Sequence, residues 1–529
     1  MSYNYYAENN EYNECSARGA CSLAPKVSSL QEVLIIFFRQ ISYYAQKLDE
    51  FDRDISSVTE KIVSGLASII STTDYTDEQL LNMVSMYYNL LVKTKRDYVS
   101  ICKENNKRAE ELKFGLKITP QMNLSAIIAQ GERIFLEKYR KTSSSLKNMT
   151  EILLFVLKSI CINILELKSL EENDEIAVKS VMSGLDILNS PKLNISAVKN
   201  TIKELVDVNR SLIDRISEVQ VKRFGKVEKK SVSHSTSSGK AILVSGNNMS
   251  NLMSLLKEVE NKDIDIYTHD DLLIAHAFES FNKIKQLKGH YGICSENCVL
   301  DFATFPGAIL LTQNSYRNVE YLYRGRLFTT DDIQPKGVIK LENNDYSKLI
   351  ESAENAKGFA KGRKLHDETV GYNEEELSRL VDSLAKNFHE NKFEKLIIIG
   401  HTIKNYKQDE YFEKLLKLST EKNYVISFSY SCQNDNCVFI NLANSLPRIY
   451  SVLKRLFRDI PLDSDRVAFF ITKCDVTSIS HMISLKKLGA KNIFLSNCQP
   501  KINPSITSTL RSIYGIKLIT NPEDDIKSF

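Results

Sequence analysis

The sequence predicts a multidomain α + α/β protein, in which an N-terminal helical bundle is followed by two doubly wound α/β domains. The first observation behind this prediction is that apolar residues recur at helical spacing between Ser29 and Lys222. The second is that from Ala241 onwards they form short runs, with helical patterns between many of them. The third is the length of 529 residues, which accommodates two to four domains of about 100–200 residues each.

The helical region opens with an apolar stripe whose members are three or four positions apart. The stripe consists of Leu30, Val33, Leu34, Phe37, Phe38, Ile41 and Ala45. This spacing places the side chains on one face of a helix. Further amphipathic runs follow at Ile55–Ile70, Asp77–Phe114, Leu124–Tyr139, Leu146–Leu170 and Val198–Val219. Pro120 and Pro191 fall at breaks between runs, so the pattern predicts a bundle of helices.

A polar stretch, 225–240, separates the helical pattern from the α/β pattern. Its residues, GKVEKKSVSHSTSSGK, are rich in Ser, Lys and Gly, a composition typical of a linker. A second break lies near 357–374. We therefore expect a helical domain over 1–224, a linker over 225–240, a first α/β domain over 241–365 and a second over 366–529.

Short apolar runs mark the strands of the two α/β domains. They are Ala241–Val244, Ile264–Tyr267, Ala308–Leu311, Leu396–Ile399, Tyr424–Phe428, Val467–Ile471, Ile493–Leu495 and Leu518–Thr520. Strands that alternate with helices form parallel sheets covered on both faces.

Composition and charge exclude several classes of function. The 70 basic and 66 acidic residues give a net charge of +4, without the basic face that marks nucleic-acid binding. The best candidate for a membrane span, Ile152–Leu167, contains Lys158 and is shorter than the about 20 residues that a span needs. No secretory signal is recognisable, so we expect a cytoplasmic protein. A location in a cytoplasmic inclusion or a spore-associated layer is compatible with this expectation.

Ten cysteines are the candidate soft metal ligands. They are Cys15, Cys21, Cys102, Cys161, Cys294, Cys298, Cys432, Cys437, Cys474 and Cys498. In a long chain without a secretory signal, they are expected to be reduced thiols rather than a disulfide framework. The pairs Cys294/Cys298 and Cys432/Cys437 have a spacing that zinc permits. Because the pairs lie in different predicted domains, chance and core packing are favoured over a four-thiolate site.

Seven stretches carry a resemblance to a known family. They are AILVSGNN (241–248), IYTHDDLLIAH (266–276), GHYG (289–292), FATFPGAILLTQN (302–314), RLFTTD (326–331), LGAKNIFLSN (488–497) and YGIKLITNPEDDI (514–526). In order and spacing, they resemble the hybrid-cluster (prismane-type) proteins, also called hydroxylamine reductases. This resemblance implies a helical domain, two Rossmann-like domains and two iron–sulfur clusters.

The resemblance also indicates that the N-terminal cluster has lost half of its ligands. The family holds a cubane cluster with four cysteines, spaced C-x2-C-x8-C-x5-C in its anaerobe-type members. Here Cys15 and Cys21 match the last two positions, whereas Tyr3 and Tyr6 occupy the first two. Two thiolates cannot complete a four-cysteine site, so we interpret both as vestigial.

Most ligands of the second, hybrid cluster are also replaced. The resemblance places the histidine ligand at Asn247, the two glutamates at Asp271 and Asp475, and the four cysteines at Ser315, Thr402, Ser431 and Arg455. Only the two carboxylate positions keep their charge, and protonated hydroxyls are poor iron ligands. We therefore expect no metal and no cofactor. Asp271, Asp475 and Arg455 are candidates for a buried charge cluster that fills the vacated space.

Two other arrangements at the vacated site remain alternatives. His401, beside Thr402, could act as a compensating ligand, but one imidazole cannot replace four thiolates. Ser315 and His401 could form a nucleophile and base, oriented by Asp271 or Asp475. The remaining candidates, His269 and His276, match family positions that are not cluster ligands.

The leading interpretation is a pseudoenzyme that keeps the family fold and has a structural or self-assembly role. The first 14 residues are rich in Tyr and Asn, and Tyr provides large contact area at low entropic cost. We expect this tail to be held by the rest of the fold or by a neighbouring copy. A homo-oligomer is therefore favoured, and a small-molecule substrate is not expected. The alternatives are a binding module and an iron–sulfur oxidoreductase that reduces hydroxylamine or nitric oxide with an altered cluster.

Overall fold

The computed structural model describes twelve stretches of the chain. They are residues 25–69, 77–112, 123–141, 143–292, 298–312, 323–331, 337–400, 409–419, 422–432, 434–472, 475–496 and 504–529. Within these stretches, no helix has both the length and the apolar character that crossing a membrane requires.

The N-terminal half is helical, as the periodicity predicts. Its helices are α1 (Pro25–Asp49), α2 (Ser56–Ser68), α3 (Asp77–Glu104), α4 (Leu124–Lys141), α5 (Ser144–Ser169), α6 (Glu175–Asp186) and α7 (Ile195–Phe224). Helix α5 is central, because it packs on α2, α6 and α7 and on two helices of the C-terminal region. Cys161 lies on α5 and is fully buried, in agreement with its prediction as a core residue.

Polar side chains define where three of these helices begin. Asp174 Oδ1 accepts a hydrogen bond from the Ala177 amide at 2.9 Å and starts α6. Asn194 caps α7 in the same way at 3.0 Å, and Ser143 caps α5. Each cap satisfies one of the amides that the first turn of a helix leaves without an intrahelical partner.

The segment 225–240 contains a strand instead of the expected linker. Strand β1 (Lys230–Ser233) pairs antiparallel with β8 (Asp367–Val370). The ribbon continues through bridges of Thr236 with Arg363 and of Gly239 with Phe359. The composition predicted a linker, whereas backbone groups of residues 230–233 pair with those of β8.

The first α/β sheet has six parallel strands in the order β4-β3-β2-β5-β6-β7. The strands are β2 (Lys240–Ser245), β3 (Ile264–His269), β4 (Leu287–His290), β5 (Ala308–Leu311), β6 (Leu327–Thr329) and β7 (Ile339–Lys340). Helices α8 (Met249–Glu258), α9 (Cys298–Thr304) and α10 (Ser347–Asn355) lie between or after them. A 3-10 helix, Asp270–Ala277, follows β3 directly.

The second sheet is also six-stranded and parallel, in the order β11-β10-β9-β12-β13-β14. Its strands are β9 (Leu396–Ile399), β10 (Tyr424–Ser427), β11 (Cys437–Phe439), β12 (Val467–Ile471), β13 (Asn492–Leu495) and β14 (Lys517–Leu518). The accompanying helices are α11 (Glu374–His389), α12 (Asp409–Ser419), α13 (Leu446–Asp459), α14 (Val476–Lys487), α15 (Pro504–Tyr514) and α16 (Pro522–Lys527).

The two sheets share one topology, with the first strand at the centre and the fourth beside it. The direction of winding reverses between β2 and β5 in the first sheet, and between β9 and β12 in the second. In open parallel sheets, ligand sites lie outside the carboxyl ends of the strands at such switch points. The fold thus directs attention to the residues that follow these strands.

Candidate functional site

Four of the positions that the resemblance assigns to cluster ligands, and that the structure describes, follow the carboxyl end of a parallel strand. Asn247 follows β2, Asp271 follows β3, Ser431 follows β10 and Asp475 follows β12. Because these ends share an edge in each sheet, the positions lie where a doubly wound fold builds its site. Arg455 differs, because it lies within helix α13.

Asn247 lies in the turn that joins β2 to α8. Gly246, just before it, has a φ of +119°, a conformation that glycine adopts without strain. Asn248 then starts α8 by accepting a hydrogen bond from the Asn251 amide at 3.0 Å. The Asn247 side-chain oxygen is buried, and no described group donates to it. An amide oxygen is a hard donor, unlike the imidazole that the resemblance assigns to this position.

Asp271 joins the two α/β regions through a hydrogen bond. The Asn444 side-chain amide donates to Asp271 Oδ1 over 3.0 Å. Asn444 has a φ of +61°, and Ala443 before it has a φ of +47°. Two consecutive left-handed residues that are not glycine cost backbone energy, so the surrounding contacts hold this turn in place.

Asp475 acts as the N-cap of helix α14. Its Oδ1 accepts hydrogen bonds from the Ser478 amide at 2.8 Å and from the Thr477 and Ser478 hydroxyls at 2.7 and 2.9 Å. A carboxylate is stabilised at a helix N-terminus by the exposed amides and the helix dipole. This oxygen of Asp475 is therefore used in capping.

Arg455 contradicts the expected buried charge cluster. Its guanidinium forms an ion pair with Glu374 of α11, and its side chain is 39% exposed. The Glu374 hydrogen bond is the main cause that raises the pKa of Arg455 above its usual value. The prediction that Arg455 joins Asp271 and Asp475 in a buried cluster is wrong, because a carboxylate at the surface satisfies this arginine without full desolvation.

Arg448, seven residues earlier on α13, is the buried arginine of this region. It is 2% exposed, donates to the backbone oxygen and the hydroxyl of Ser217, and lies 5.6 Å from the centre of the Phe278 ring. Burial is the main cause that lowers the pKa of Arg448. Arg448 was not identified as a candidate residue from the sequence.

A carboxylate on α5 lies within electrostatic reach of Arg448. Burial raises the pKa of Glu166 to about 7, while Arg448 and a hydrogen bond from Gln220 act in the opposite direction. The Gln220 side-chain amide donates to Glu166 Oε1 over 3.0 Å. A buried polar junction therefore joins α5 and α7 of the helical region to α13.

Histidines form a second polar group inside the first α/β region. His269 Nδ1 lies 2.7 Å from Ser245 Oγ, and His269 Nε2 lies 3.2 Å from Asp301 Oδ2. This order of hydroxyl, imidazole and carboxylate is that of an activated nucleophile. However, Ser245 is 1% exposed and His269 fully buried, so the arrangement is closed to a substrate and supports the packing of α9 on the sheet.

Two further histidines are held neutral beside Thr268. The Thr268 hydroxyl lies 2.8 Å from His276 Nε2 and 2.9 Å from His290 Nδ1. Burial lowers the pKa of His276 to about 3 and holds that of His290 well below its ordinary value, with smaller contributions from neighbouring histidines. The ring centres of His234 and His290 are 5.4 Å apart. His234 Nε2 in turn lies 3.1 Å from Glu368 Oε2.

Cys432 and Cys437 form a disulfide, which corrects the expectation that all ten cysteines are reduced thiols. The rule that long chains without a signal carry reduced thiols concerns the compartment, whereas the sheet places these two residues within bonding distance. The bond also contradicts the alternative of a four-thiolate zinc site, because a disulfide offers no thiolate. Cys298, the described member of the other pair, is buried.

Several predicted positions lie outside the described residues. They are Tyr3, Tyr6, Cys15, Cys21, Cys294, Ser315, His401, Thr402 and Cys474. The Ser315–His401 alternative, the compensating role of His401, and the tail of the first 14 residues therefore remain predictions. Within the described ranges, no three or more His, Cys, Asp or Glu side chains come together as a metal site.

The donor set of the described positions does not fit a hybrid cluster. Iron–sulfur clusters are held mainly by thiolates and by some imidazoles. Asn247 and Ser431 supply neutral oxygens, Arg455 supplies a cation engaged with Glu374, and Asp475 caps a helix. No reaction step through such a cluster follows from these residues.

Comparison with known proteins supplies the family. A sequence model described as Prismane/CO dehydrogenase family matches residues 9–448. The chain belongs to this family. The prismane match thus covers the helical region, the first sheet and part of the second, including Arg448.

Two curated relatives and one solved structure agree with this prismane assignment. The chain is 23% identical over 536 residues to a hydroxylamine reductase of Thermodesulfovibrio yellowstonii, covering 97% of each chain. It is 23% identical over 533 residues to a hydroxylamine reductase of Zymomonas mobilis, covering 97% of this chain and 96% of the relative. The solved structure is the alpha subunit of an acetyl-CoA synthase/carbon monoxide dehydrogenase, with a TM-score of 0.50 and 12% sequence identity. The match covers 97% of the prismane-family chain and 83% of the alpha subunit. A likeness at this identity supports the fold alone.

Proposed function

We propose that this prismane-family protein lacks the redox chemistry of hydroxylamine reductases and has a structural or self-assembly role. The observation that carries the proposal is the ion pair of Arg455 with Glu374. The resemblance assigns a metal-bound thiolate to position 455. A cation cannot ligate iron, and a guanidinium stays protonated at any pH at which the protein is folded.

The surroundings of the other positions support the same proposal. Asp475 Oδ1 accepts the hydrogen bonds that start α14, and Asp271 Oδ1 accepts the hydrogen bond from Asn444 that joins the two α/β regions. A metal ligated by either of these oxygens would compete with those contacts. Here the residues at former ligand positions act in folding and domain contacts, so a role in binding or assembly is more compatible with them than catalysis.

The first test is the metal content of protein purified anaerobically. We expect colourless protein, with iron and acid-labile sulfide well below one atom per chain and no hydroxylamine-reducing activity. The same measurements after reconstitution with iron and sulfide under reducing conditions should stay at this level. A brown protein with stoichiometric iron and visible sulfur-to-iron absorbance would reject the loss of cluster chemistry and favour the oxidoreductase alternative.

The second test is the state of association of the full-length chain. We expect particles much larger than one 60.3 kDa chain in light scattering, and smaller particles after deletion of residues 1–14. The matched control replaces Tyr3, Tyr5, Tyr6 and Tyr12 with Ser, because this keeps the length of the tail and removes its aromatic contact area. A monomer whose size is unaffected by either change would reject the assembly role and leave the binding-module alternative.

A further inference from the structure

The Cys432–Cys437 disulfide joins the loop that follows β10 to the first residue of β11. The two Cα atoms are 6.2 Å apart, within the range that a disulfide spans. Strand β10 ends at Ser427 and β11 begins at Cys437, so only residues 428–436 join two parallel strands. Parallel neighbours normally need a connection of about a dozen residues or more, usually through a helix. The bond thus restrains the second half of an unusually short parallel connection.

Strand β11 has few other restraints, because it lies at the edge of the sheet with β10 as its partner. The Val425 amide donates to the Asn436 carbonyl oxygen at 2.9 Å, and the Ile440 amide donates to Ser427 at 2.9 Å. A strand of three residues with one neighbour is at the low-stability end of a sheet. Its position therefore depends on the covalent link to Cys432.

The chain beyond β11 contacts both the β1–β8 ribbon and the first α/β region. The Gly371 amide donates to the Asn441 carbonyl oxygen at 2.9 Å, and the Asn441 side chain donates to Glu368 at 2.9 Å. Three residues later, Asn444 donates to Asp271. The disulfide thus lies a few residues before a segment, 440–444, that bridges the two regions.

The pair is also open to reagents, unlike the other described cysteines. Residues 434–436 are exposed, and Cys432 and Cys437 are half-buried. By contrast, Cys102, Cys161 and Cys298 are buried, and burial raises the pKa of Cys161. Thiol exchange requires access to the sulfur, which favours the loop over the core.

We propose that Cys432–Cys437 is a thiol-responsive site whose state controls the contact of segment 440–444 with the first α/β region. A small dithiol or two thiols act as the reductant. One thiolate attacks a cysteine sulfur, forms a mixed disulfide and releases the other cysteine as a thiolate. A second thiolate then displaces the remaining cysteine, which leaves two protein thiols and one oxidised reductant. The loss of the bond frees β11 and loosens the bridging segment.

The test combines thiol mapping with hydrogen exchange on the full-length protein. Peptide mapping of diamide-treated protein should find Cys432 linked to Cys437, and dithiothreitol followed by N-ethylmaleimide should label both. We expect reduction to raise exchange of the Ile440 and Gly371 amides by about tenfold or more. The Gly371 amide is the decisive reporter, because it directly follows β8 and donates to the Asn441 carbonyl oxygen of the segment.

Matched variants distinguish the effect of breaking the Cys432–Cys437 bond from general effects of the reductant. C432S/C437S should show the fast exchange without dithiothreitol, and C102S should respond as the wild type does. Where the double variant fails to fold, the reduced and labelled wild type provides the same comparison. Free thiols at both positions after diamide would overturn the proposal, and so would a disulfide whose reduction leaves Gly371 exchange unchanged. The inference does not depend on the loss of cluster chemistry, and neither result bears on metal content.

Discussion

Replacing Arg448 with Ala is expected to destabilise the protein by about 3–5 kcal/mol, the usual cost of removing one partner from a buried charged group. The change removes the hydrogen bonds to Ser217 and the contact with the Phe278 ring. It also removes the main influence that keeps the pKa of Glu166 from rising above about 7. The measurement is urea unfolding followed by far-UV circular dichroism and tyrosine fluorescence, since the chain has no Trp.

R448M is the matched control, because methionine fills most of the volume and brings no charge. We expect R448M to lose less stability than R448A, because methionine fills most of the cavity that alanine leaves, whereas both variants deprive Glu166 of its cation. The R448A defect should also become smaller as pH falls, because protonated Glu166 no longer requires a cation. Equal losses for both variants at every pH would show that the charge itself, rather than packing, holds the junction.

Acidification is expected to destabilise the protein through His276 and His290. The folded-state pKa of His276, about 3, lies below the ordinary 6.5, so the unfolded chain binds a proton that the folded chain does not. The stability from this difference is complete above pH 6.5 and is lost as pH falls towards 3. At 1.36 kcal/mol per pKa unit, His276 alone accounts for roughly 4–5 kcal/mol as an upper bound.

The check is the pH dependence of the melting temperature between pH 7.5 and 5. H276N should flatten the curve, because asparagine can bond to Thr268 and does not titrate in this range. H389N is the control, since His389 is exposed and bonds to the carbonyl oxygen of Asp459 at the surface. A wild-type curve that is level over this range would contradict the burial of two neutral histidines.

The strands that the sequence predicted best are those buried on both faces. Strands β5, β9 and β12 have the bounds that the apolar runs gave, because a covered parallel strand is a continuous apolar run. Strands β1, β4, β6, β7, β8 and β11 were missed: five of them lie at an edge and carry polar or mixed side chains, and β6 is internal but only three residues long. Strands β1 and β8 pair with each other across more than a hundred residues, which leaves no local pattern.

The burial of a side chain at the site was harder to predict from the sequence than the element on which the residue lies. Arg448 and Arg455 lie two turns apart on α13, so helical periodicity assigns them to one face. The first turn packs on α7, where Arg448 meets Ser217, whereas two turns later the helix reaches α11 and Glu374. Only the crossing of three helices decides which arginine is buried, and no sequence window contains that information.

The antiparallel ribbon of β1 and β8 has a consequence for the connectivity of the chain. Gly239, where the chain enters the first sheet, is paired with Phe359, where it leaves after α10. Residues 240–358 therefore form an insertion whose two ends are neighbours, joined to the rest of the protein by a double-stranded ribbon. Contacts of Asp271 with Asn444 and of Phe278 with Arg448 are further attachments, so the ribbon and these contacts together fix the orientation of the unit.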